Sequence, residues 1–447
     1  MEQDLTTGSV FKRIVYFSLP YLLSYFLQTL YGMADLFITG QFYGVDTITA
    51  VSNGSQIMHM MTVIIVGLAM GTTVTIGHSV GAKCMEQAEK IIGNTITLFM
   101  GIAVAFTVIL VVLVKPIVVL IATPQEAVAG TSIYLLICFI GIPFITAYNI
   151  ISSIFRGLGN SKSPMYFIGI ACVMNIALDY LFMGAFHMGA AGAALGTVCA
   201  QTFSVLVTLW VIRRRKTGIS LKKSDFKIER AVIGQVLKIG IPVALQDGFI
   251  QVAFMIITVI ANSRGVSDAA AVGVVEKVIS ALFIVPSSML ATVSALSAQN
   301  LGAGKEKRAT DTLRYATVIT TIYGMIVAVL IQFIAENVVG IFTSDTTVVT
   351  MGSAYIRSYI WDCIFAGIHF SFSGYFAACG KSYIGFLHNI ISITFVRVPG
   401  SYLASKYFTD TLYPMGLAAP AGSLVSVAIC VTAFILLKRK SRVAQTA

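Results

Sequence analysis

Residues 14–40 read IVYFSLPYLLSYFLQTLYGMADLFITG, an apolar run long enough to cross a bilayer that nevertheless carries Pro20, Gln28, Tyr31 and Asp35. A spanning helix needs about 20 apolar residues, and a carboxylate within one is costly enough to mark a functional site. On a helix, positions 28, 31 and 35 share one face, because spacings of three, four and seven return to the same side. Pro20 removes a backbone hydrogen bond in the early turns, so a kink is expected there. Taken alone, the stretch also fits a plain membrane helix whose Asp35 ends it at the water interface. The rest of the chain weighs against that.

Of the 447 residues, 57% are hydrophobic and 11% are charged. An ordinary soluble protein carries about 25% charge, so the chain is read as an all-α polytopic membrane protein. The start, Met1-Glu2-Gln3-Asp4, is acidic and lacks the basic region and cleavage site of a signal peptide, so the first helix is expected to be retained. The seven cysteines form no CxxC pair and most lie in apolar runs, which argues against a disulfide framework and a zinc site. No cofactor is expected.

Twelve apolar segments follow one another at roughly 14–40, 48–76, 91–114, 127–155, 165–184, 192–212, 234–261, 270–298, 312–334, 350–378, 384–404 and 418–437. Twelve spans put both termini on one side. Lys12 and Arg13, Lys83 and Lys90, Arg156 and Lys162, the stretch Arg213 to Lys238, Lys305 to Arg314, Lys381, and the tail Lys438 to Arg442 all belong to the N-terminus, alternate loops or C-terminus. The positive-inside rule assigns these to the cytoplasm. The opposite loops, 123–126, 262–268, 343–345 and 409–412, hold almost no Lys or Arg. The net charge of +11 is therefore topological, and a nucleic-acid partner is not expected.

An internal repeat runs through the chain. Ser18-Leu19-Pro20 recurs as Gly240-Ile241-Pro242, Val80-Gly81-Ala82 as Leu301-Gly302-Ala303, and Lys162-Ser163 as Lys381-Ser382, at offsets of 222, 221 and 219 residues. Any one of these recurs easily by chance; three at nearly one register do not. Six helices per unit is an even number, so the halves share an orientation and are expected to be related by an axis along the membrane normal. The expected organisation is an N-lobe at 1–212, a basic linker at 213–230, and a C-lobe at 231–447, with a central cavity between them.

Asn175 and Asp179 lie four residues apart on one face of the fifth segment. At about 1.5 Å per residue, they sit roughly 15 to 22 Å from the cytoplasmic entry, and Gln28 and Asp35 roughly 20 to 30 Å. Tyr134 and Thr197, entering from outside, lie about 10 Å deep. A lone Asn or Asp is usually a packing residue; two acids, two amides and two hydroxyls at matching depth are harder to explain that way. Two carboxylates in a low-dielectric space disfavour double ionisation, so the pair is expected to hold a proton or bind a monovalent cation. Oxygen ligands suit a hard cation and offer little to zinc or copper.

At these residues the chain resembles the multidrug and toxic compound extrusion (MATE) transporters over essentially its full length. The likeness lies in the twelve helices in two homologous lobes, the helix 1 proline and aspartate, the loop glycine-alanine pair in each half, and the Asn-x-x-x-Asp of helix 5. Position by position, Pro20, Gln28, Tyr31, Asp35, Tyr134, Asn175, Asp179 and Thr197 resemble the N-lobe cation site of one bacterial and archaeal branch. The resemblance implies efflux of bulky, often cationic amphiphiles, driven by inward flow of sodium ions or protons, with Asp35, Asn175, Asp179 and Thr197 holding the ion. It implies a monomer, no nucleotide and no enzymatic activity.

The C-lobe departs from this pattern, since Asp35 maps near Ile257 and Asp179 near Val398. Another branch of the family keeps its acids in helices 7 and 10, where the nearest candidates here are Asp247 and Asp362. Together with Gln251 and Glu276, beside Lys277, they are the candidate substrate-cavity residues. Arg357 and Arg397 either neutralise Asp362 or line the cavity. Gly380-Lys381-Ser382 misses the phosphate-loop spacing and follows no strand, so no ATPase is expected. Met58-His59-Met60-Met61 is read as packing, and the segments around Gly81 and Gly302 as amphipathic surface connectors. The alternatives are a flippase for lipid-linked oligosaccharides from the same wider superfamily, which calls for a basic cavity, and a major-facilitator-type transporter, whose basic loop is absent between Ser79 and Lys90.

Overall fold

The computed structural model describes residues 4–214 and 220–446, with side chains through Arg439. The Met1-Glu2-Gln3 start, linker residues 215–219 and the side chains of Lys440 and Arg442 lie outside the described residues. Among those described there is no β-strand.

Twelve helical rods follow the expected order. They are α1 (Val10–Phe42), α2 (Val45–Gly81), α3 (Met85–Leu120), α4 (Val128–Ile140 and Ile142–Gly157), α5 (Lys162–Asp179, prolonged by a wide π-type turn at Tyr180–Ala185) and α6 (Gly189–Arg214). After the connector come α7 (Arg230–Asn262), α8 (Val266–Leu282 and Ile284–Gly302), α9 (Glu306–Gly340) and α10 (Thr346–Tyr359 and Asp362–Ala378). The last two are α11 (Ser382–Ser392, a π-type turn at Ile393–Arg397, then Val398–Tyr407) and α12 (Tyr413–Gly416 and Ala418–Thr446).

Eight rods are long and apolar enough to cross a membrane, and α4, bent by 52° at its break, makes nine. The other three fall short for visible reasons. Tyrosines and Gln28 dilute the hydropathy of α1, while α10 and α11 are interrupted into pieces of 17 residues or fewer. Non-ideal helix at membrane depth is tolerated where it is buried in protein. The expected kink at Pro20 does not break α1, which stays helical through it, and Ser24 Oγ donates to the Pro20 carbonyl at 2.8 Å.

The rods form two compact units. One comprises Met1–Thr7, Val15–Gly240 and Gly302–Gly304; the other comprises Gly8–Ile14, Ile241–Leu301 and Lys305–Ala447. In the first, Ile38, Val51, Leu135, Phe139 and Ala193 anchor an apolar core. Met58 belongs to this core, in keeping with a packing role for the Met-His-Met-Met run. In the second, Ile257, Val275, Ala328, Tyr355 and Ile360 do the same.

Glycines set the tightest crossings, as expected where helices associate without a hydrophobic drive from water. A Cβ on Gly71 of α2 would lie 2.0 Å from the Val236 carbonyl oxygen of α7, and one on Gly240 would lie 2.3 Å from that of Leu68. In the second unit, Gly374 of α10 meets the Leu290 carbonyl in the same manner, with 2.3 Å left for a Cβ.

Two expected features are corrected by the fold. Gly81 and Gly302 are not amphipathic connectors but the last residues of α2 and α8, each followed by a left-handed turn at Lys83 (φ 61°) and Gly304 (φ 72°). Gly380 (φ 68°) likewise ends α10, and the Lys381 N–H closes that end on the Phe376 carbonyl at 2.8 Å, as helix C-termini commonly do. The described part of the connector is pinned to α3. Asn94 Nδ2 donates to the Asp225 carbonyl at 3.1 Å, Asn94 Oδ1 accepts from the Glu229 N–H at 2.7 Å, and Thr97 Oγ1 donates to the Phe226 carbonyl at 3.0 Å.

Gly71→Val is expected to force α2 and α7 apart and cost about 1–3 kcal/mol, as overpacking does. Gly234→Ala, where nothing lies within 4 Å of an added Cβ, does not destabilise. Thermal unfolding of the two detergent-purified variants checks this.

Candidate functional site

Three rods of the first unit converge on Asp35. From α1 come Tyr31 and Asp35; from α5, Asn175 and Asp179; from α6, Thr197 and Gln201. Asp35 is 3% exposed, Asn175 2% and Asp179 fully buried. Thr197 Oγ1 donates to Asp35 Oδ2 at 3.3 Å, and Asn175 and Asp179 are immediate neighbours of the same carboxylate.

What these neighbours lack is as informative as what they touch. Asp35 Oδ1, both carboxylate oxygens of Asp179, and both amide atoms of Asn175 are buried with no hydrogen-bond partner outside their own cluster. Leaving a buried polar atom unpaired costs about 1–3 kcal/mol, so natural cores rarely tolerate one, let alone five together. A proton shared by the acids, or a cation ringed by oxygens, satisfies such an arrangement; apolar packing does not.

The helix-to-helix fit explains why Asp179 can sit here. A Cβ on Gly196 of α6 would lie 2.1 Å from Asp179 Oδ1, so only glycine leaves the carboxylate room against α6. Beside the acids, a narrow cleft is lined by Tyr31, Tyr148, Asn175, Thr197 and Gln201 together with apolar residues. No Lys or Arg lines it. Tyr134 of α4 is buried behind the acids, its ring lying where a Cβ on Gly54 would come within 2.2 Å.

Asp35, Asn175, Asp179 and Thr197 are thus brought together, with Tyr31 and Tyr134 around them. Gln28 is half-buried and outside the cleft lining. Pro20 lies about four turns along α1 from Asp35. Gln201, Tyr148 and Gly196 were not singled out from sequence. Gln201 was recoverable, since it lies four residues beyond Thr197 on the same helix face. Gly196 is one of several small residues in a Gly/Ala-rich stretch, and only the neighbouring helix distinguishes it.

In the second unit the candidates are more scattered. Asp247 and Gln251 are half-buried on α7, whereas Asp362 is buried. Arg357 pairs with Glu336 at 3.3 Å and does not neutralise Asp362. Glu276 accepts a hydrogen bond from Thr258 Oγ1 at 3.3 Å and forms no ion pair with its neighbour Lys277 among the described residues.

Twelve rods in two repeated units, with a buried acid pair at the meeting of three helices, define a polytopic membrane carrier. The MatE family model matches residues 20–181 and again 242–403. Both edges of the second block are displaced by 222 residues (242 − 20 and 403 − 181), the offset of the Pro20 and Pro242 landmarks. The chain belongs to the MatE family, a family of transporters and not of enzymes. That membership decides against a major-facilitator protein.

The probable multidrug resistance protein YpnP of Bacillus subtilis is 30% identical over 415 residues, 93% of either chain. The multidrug export protein MepA of Staphylococcus aureus is 23% identical over 374 residues, 83% of this chain and 82% of its own. Among solved structures, a MATE crystal structure in the straight conformation aligns with a TM-score of 0.90 at 20% identity, covering 99% of each chain. One in the bent conformation aligns with a TM-score of 0.90 at 21% identity, covering 99% of this chain and 98% of that one.

Gly196→Ala is expected to destabilise the protein by about 1–3 kcal/mol by displacing the Asp179 carboxylate. In an Asp179→Ala background the cost should fall to near zero, because the clashing oxygen is gone. A double-mutant cycle on thermal or denaturant stability measures that coupling.

Proposed function

We propose that this protein is a cation-coupled multidrug antiporter that exports amphiphilic, often cationic compounds in exchange for sodium ions or protons. The observation that carries this is the set of five buried polar atoms of Asp35, Asn175 and Asp179 with no partner outside their own cluster, where α1, α5 and α6 meet. The multidrug names of relatives such as YpnP and MepA support the substrate class. The same multidrug names weigh against a flippase for lipid-linked sugars.

The mechanism follows from charge. With both carboxylates ionised, Asp35 and Asp179 repel, and α1 is pushed from α5 and α6. A proton or sodium ion received by Asp35, Asn175, Asp179 and Thr197 removes the repulsion and draws α1 inward. A cation can shift the carrier between two states only by binding one better than the other, and the distance between the two acids is the variable that makes its affinity differ. Pro20, whose missing N–H weakens α1 at that turn, is where the helix gives when the pull changes. Drug release then accompanies ion loading because both act on the same helix.

Efflux of a fluorescent cation from vesicles, under sodium and proton gradients imposed separately, identifies the coupling ion. Asp35→Asn and Asp179→Asn are each expected to abolish gradient-driven export at normal membrane expression; wild-type rates in both variants reject the assignment.

Pro20→Ala restores a backbone donor and is expected to slow turnover more than it weakens drug binding. Equal turnover in variant and wild type rejects the hinge role.

Asp247→Asn and Asp362→Asn are expected to change which drugs are exported, or how tightly they bind, while preserving dependence on the driving ion. Drug binding titrated against pH and sodium distinguishes the two effects.

A further inference from the structure

The second unit also buries acids, yet it treats their charge differently. Arg397 ends the π-type turn of α11 and is only 9% exposed, unusual for a guanidinium. Its Nη2 donates to the Tyr359 hydroxyl, and its Cζ lies 4.8 Å from the ring centroid of Phe254 and 5.6 Å from that of Tyr359. Two aromatic rings, one on α7 and one on α10, therefore hold the cation in place.

Around it lie two carboxylates. Asp362 is 1% exposed and has the Ser423 hydroxyl beside it; Glu276 Oε1 has no hydrogen-bond partner. Both acids interact electrostatically with Arg397, as do Tyr355 and Tyr359, and His369 of α10 also feels its charge. No carboxylate closes to salt-bridge distance on Arg397 among the described residues. The guanidinium thus balances the cluster through space while its position is set by the rings. Gly422 of α12 makes room for it, since a Cβ there would come within 3.3 Å of the Arg397 Cβ.

The contrast with the first unit is one of supply. Asp362 is buried and Glu276 half-buried in the second unit as Asp35 and Asp179 are buried in the first, but no Lys or Arg acts on Asp35 or Asp179, so their positive charge is left to be supplied from solution. In the second unit the positive charge is covalently attached. A buried carboxylate stripped of its counter-charge is strongly unfavourable and recruits a replacement.

We propose that Arg397 is a tethered cation that closes the second unit to the coupling ion, and that the Asp362 and Glu276 cluster takes up a sodium ion once that tethered charge is removed. Arg397 is in this sense the residue that sets the protein to one exchangeable cation site and not two. The inference rests on the first-unit coupling site only through the choice of background below.

The test is equilibrium binding of radioactive sodium to the purified full-length protein at alkaline pH, where protons compete least, in an Asp179→Asn background. Adding Arg397→Met is expected to strengthen sodium binding by about tenfold or more. Arg397→Lys, which keeps the charge, should stay at background, and Asp362→Asn added to Arg397→Met should cancel the gain. A folded Arg397→Met variant with no gain, or an equal gain in Arg397→Lys, overturns the proposal. Should Arg397→Met alone fail to yield folded protein, Arg397→Met with Asp362→Asn should recover folding, because the two unlike charges leave together; no recovery also overturns it. Failure of the first-unit coupling site shows separately, as wild-type gradient-driven export in Asp179→Asn itself.

Discussion

Two carboxylates forced together in a dry interior are the constraint around which the first unit is built. Asp35 and Asp179 arrive on different helices, and neither has enough hydrogen-bond partners to be content as a plain structural group. Such an arrangement lowers the stability of the fold locally, and proteins keep it only where the cost serves an activity. In the mechanism proposed above, the cost makes the spacing of α1 and α5 sensitive to a single positive charge.

The surrounding architecture keeps that sensitivity local. Glycine crossings lock α2 to the start of α7, and Asn94 and Thr97 pin the connector to α3, so these parts are tied backbone to backbone or by directed hydrogen bonds. By contrast, α1 carries Pro20 and a polar face that meets the acid site. A two-state element needs one compliant part in a stiff frame. In the proposed mechanism α1 is that compliant part.

Set beside this, the second unit shows how a repeat can diverge without changing shape. Its helices follow the same order and its family match the same register, but the positions corresponding to the acid pair, near Ile257 and between Val398 and Ser401, carry no acid. Its own buried acids lie elsewhere, with a guanidinium among them. Shape is conserved by apolar packing and glycine crossings, which tolerate many sequences; charge is set by single residues and so can be reassigned by single substitutions.

Much of this protein was determined by its sequence alone. The class followed from hydropathy, the twelve rods from apolar segments broken by turns, the repeat from three spaced landmarks, and the gathering of Asp35, Asn175, Asp179 and Thr197 from helical periodicity and depth. These are one-dimensional signals: burial in a bilayer imposes length, and helical pitch imposes face. What only the tertiary structure decided depends on which helix lies against which. Gly196 matters because Asp179 lies against it, Arg357 turned to Glu336 while Arg397 came to lie among the acids, and Gly81 and Gly302 proved to be helix ends. Depth along a helix can be counted from the chain, but rotation and lateral neighbours are set by packing, and a charge acquires its meaning only from the partner that packing delivers.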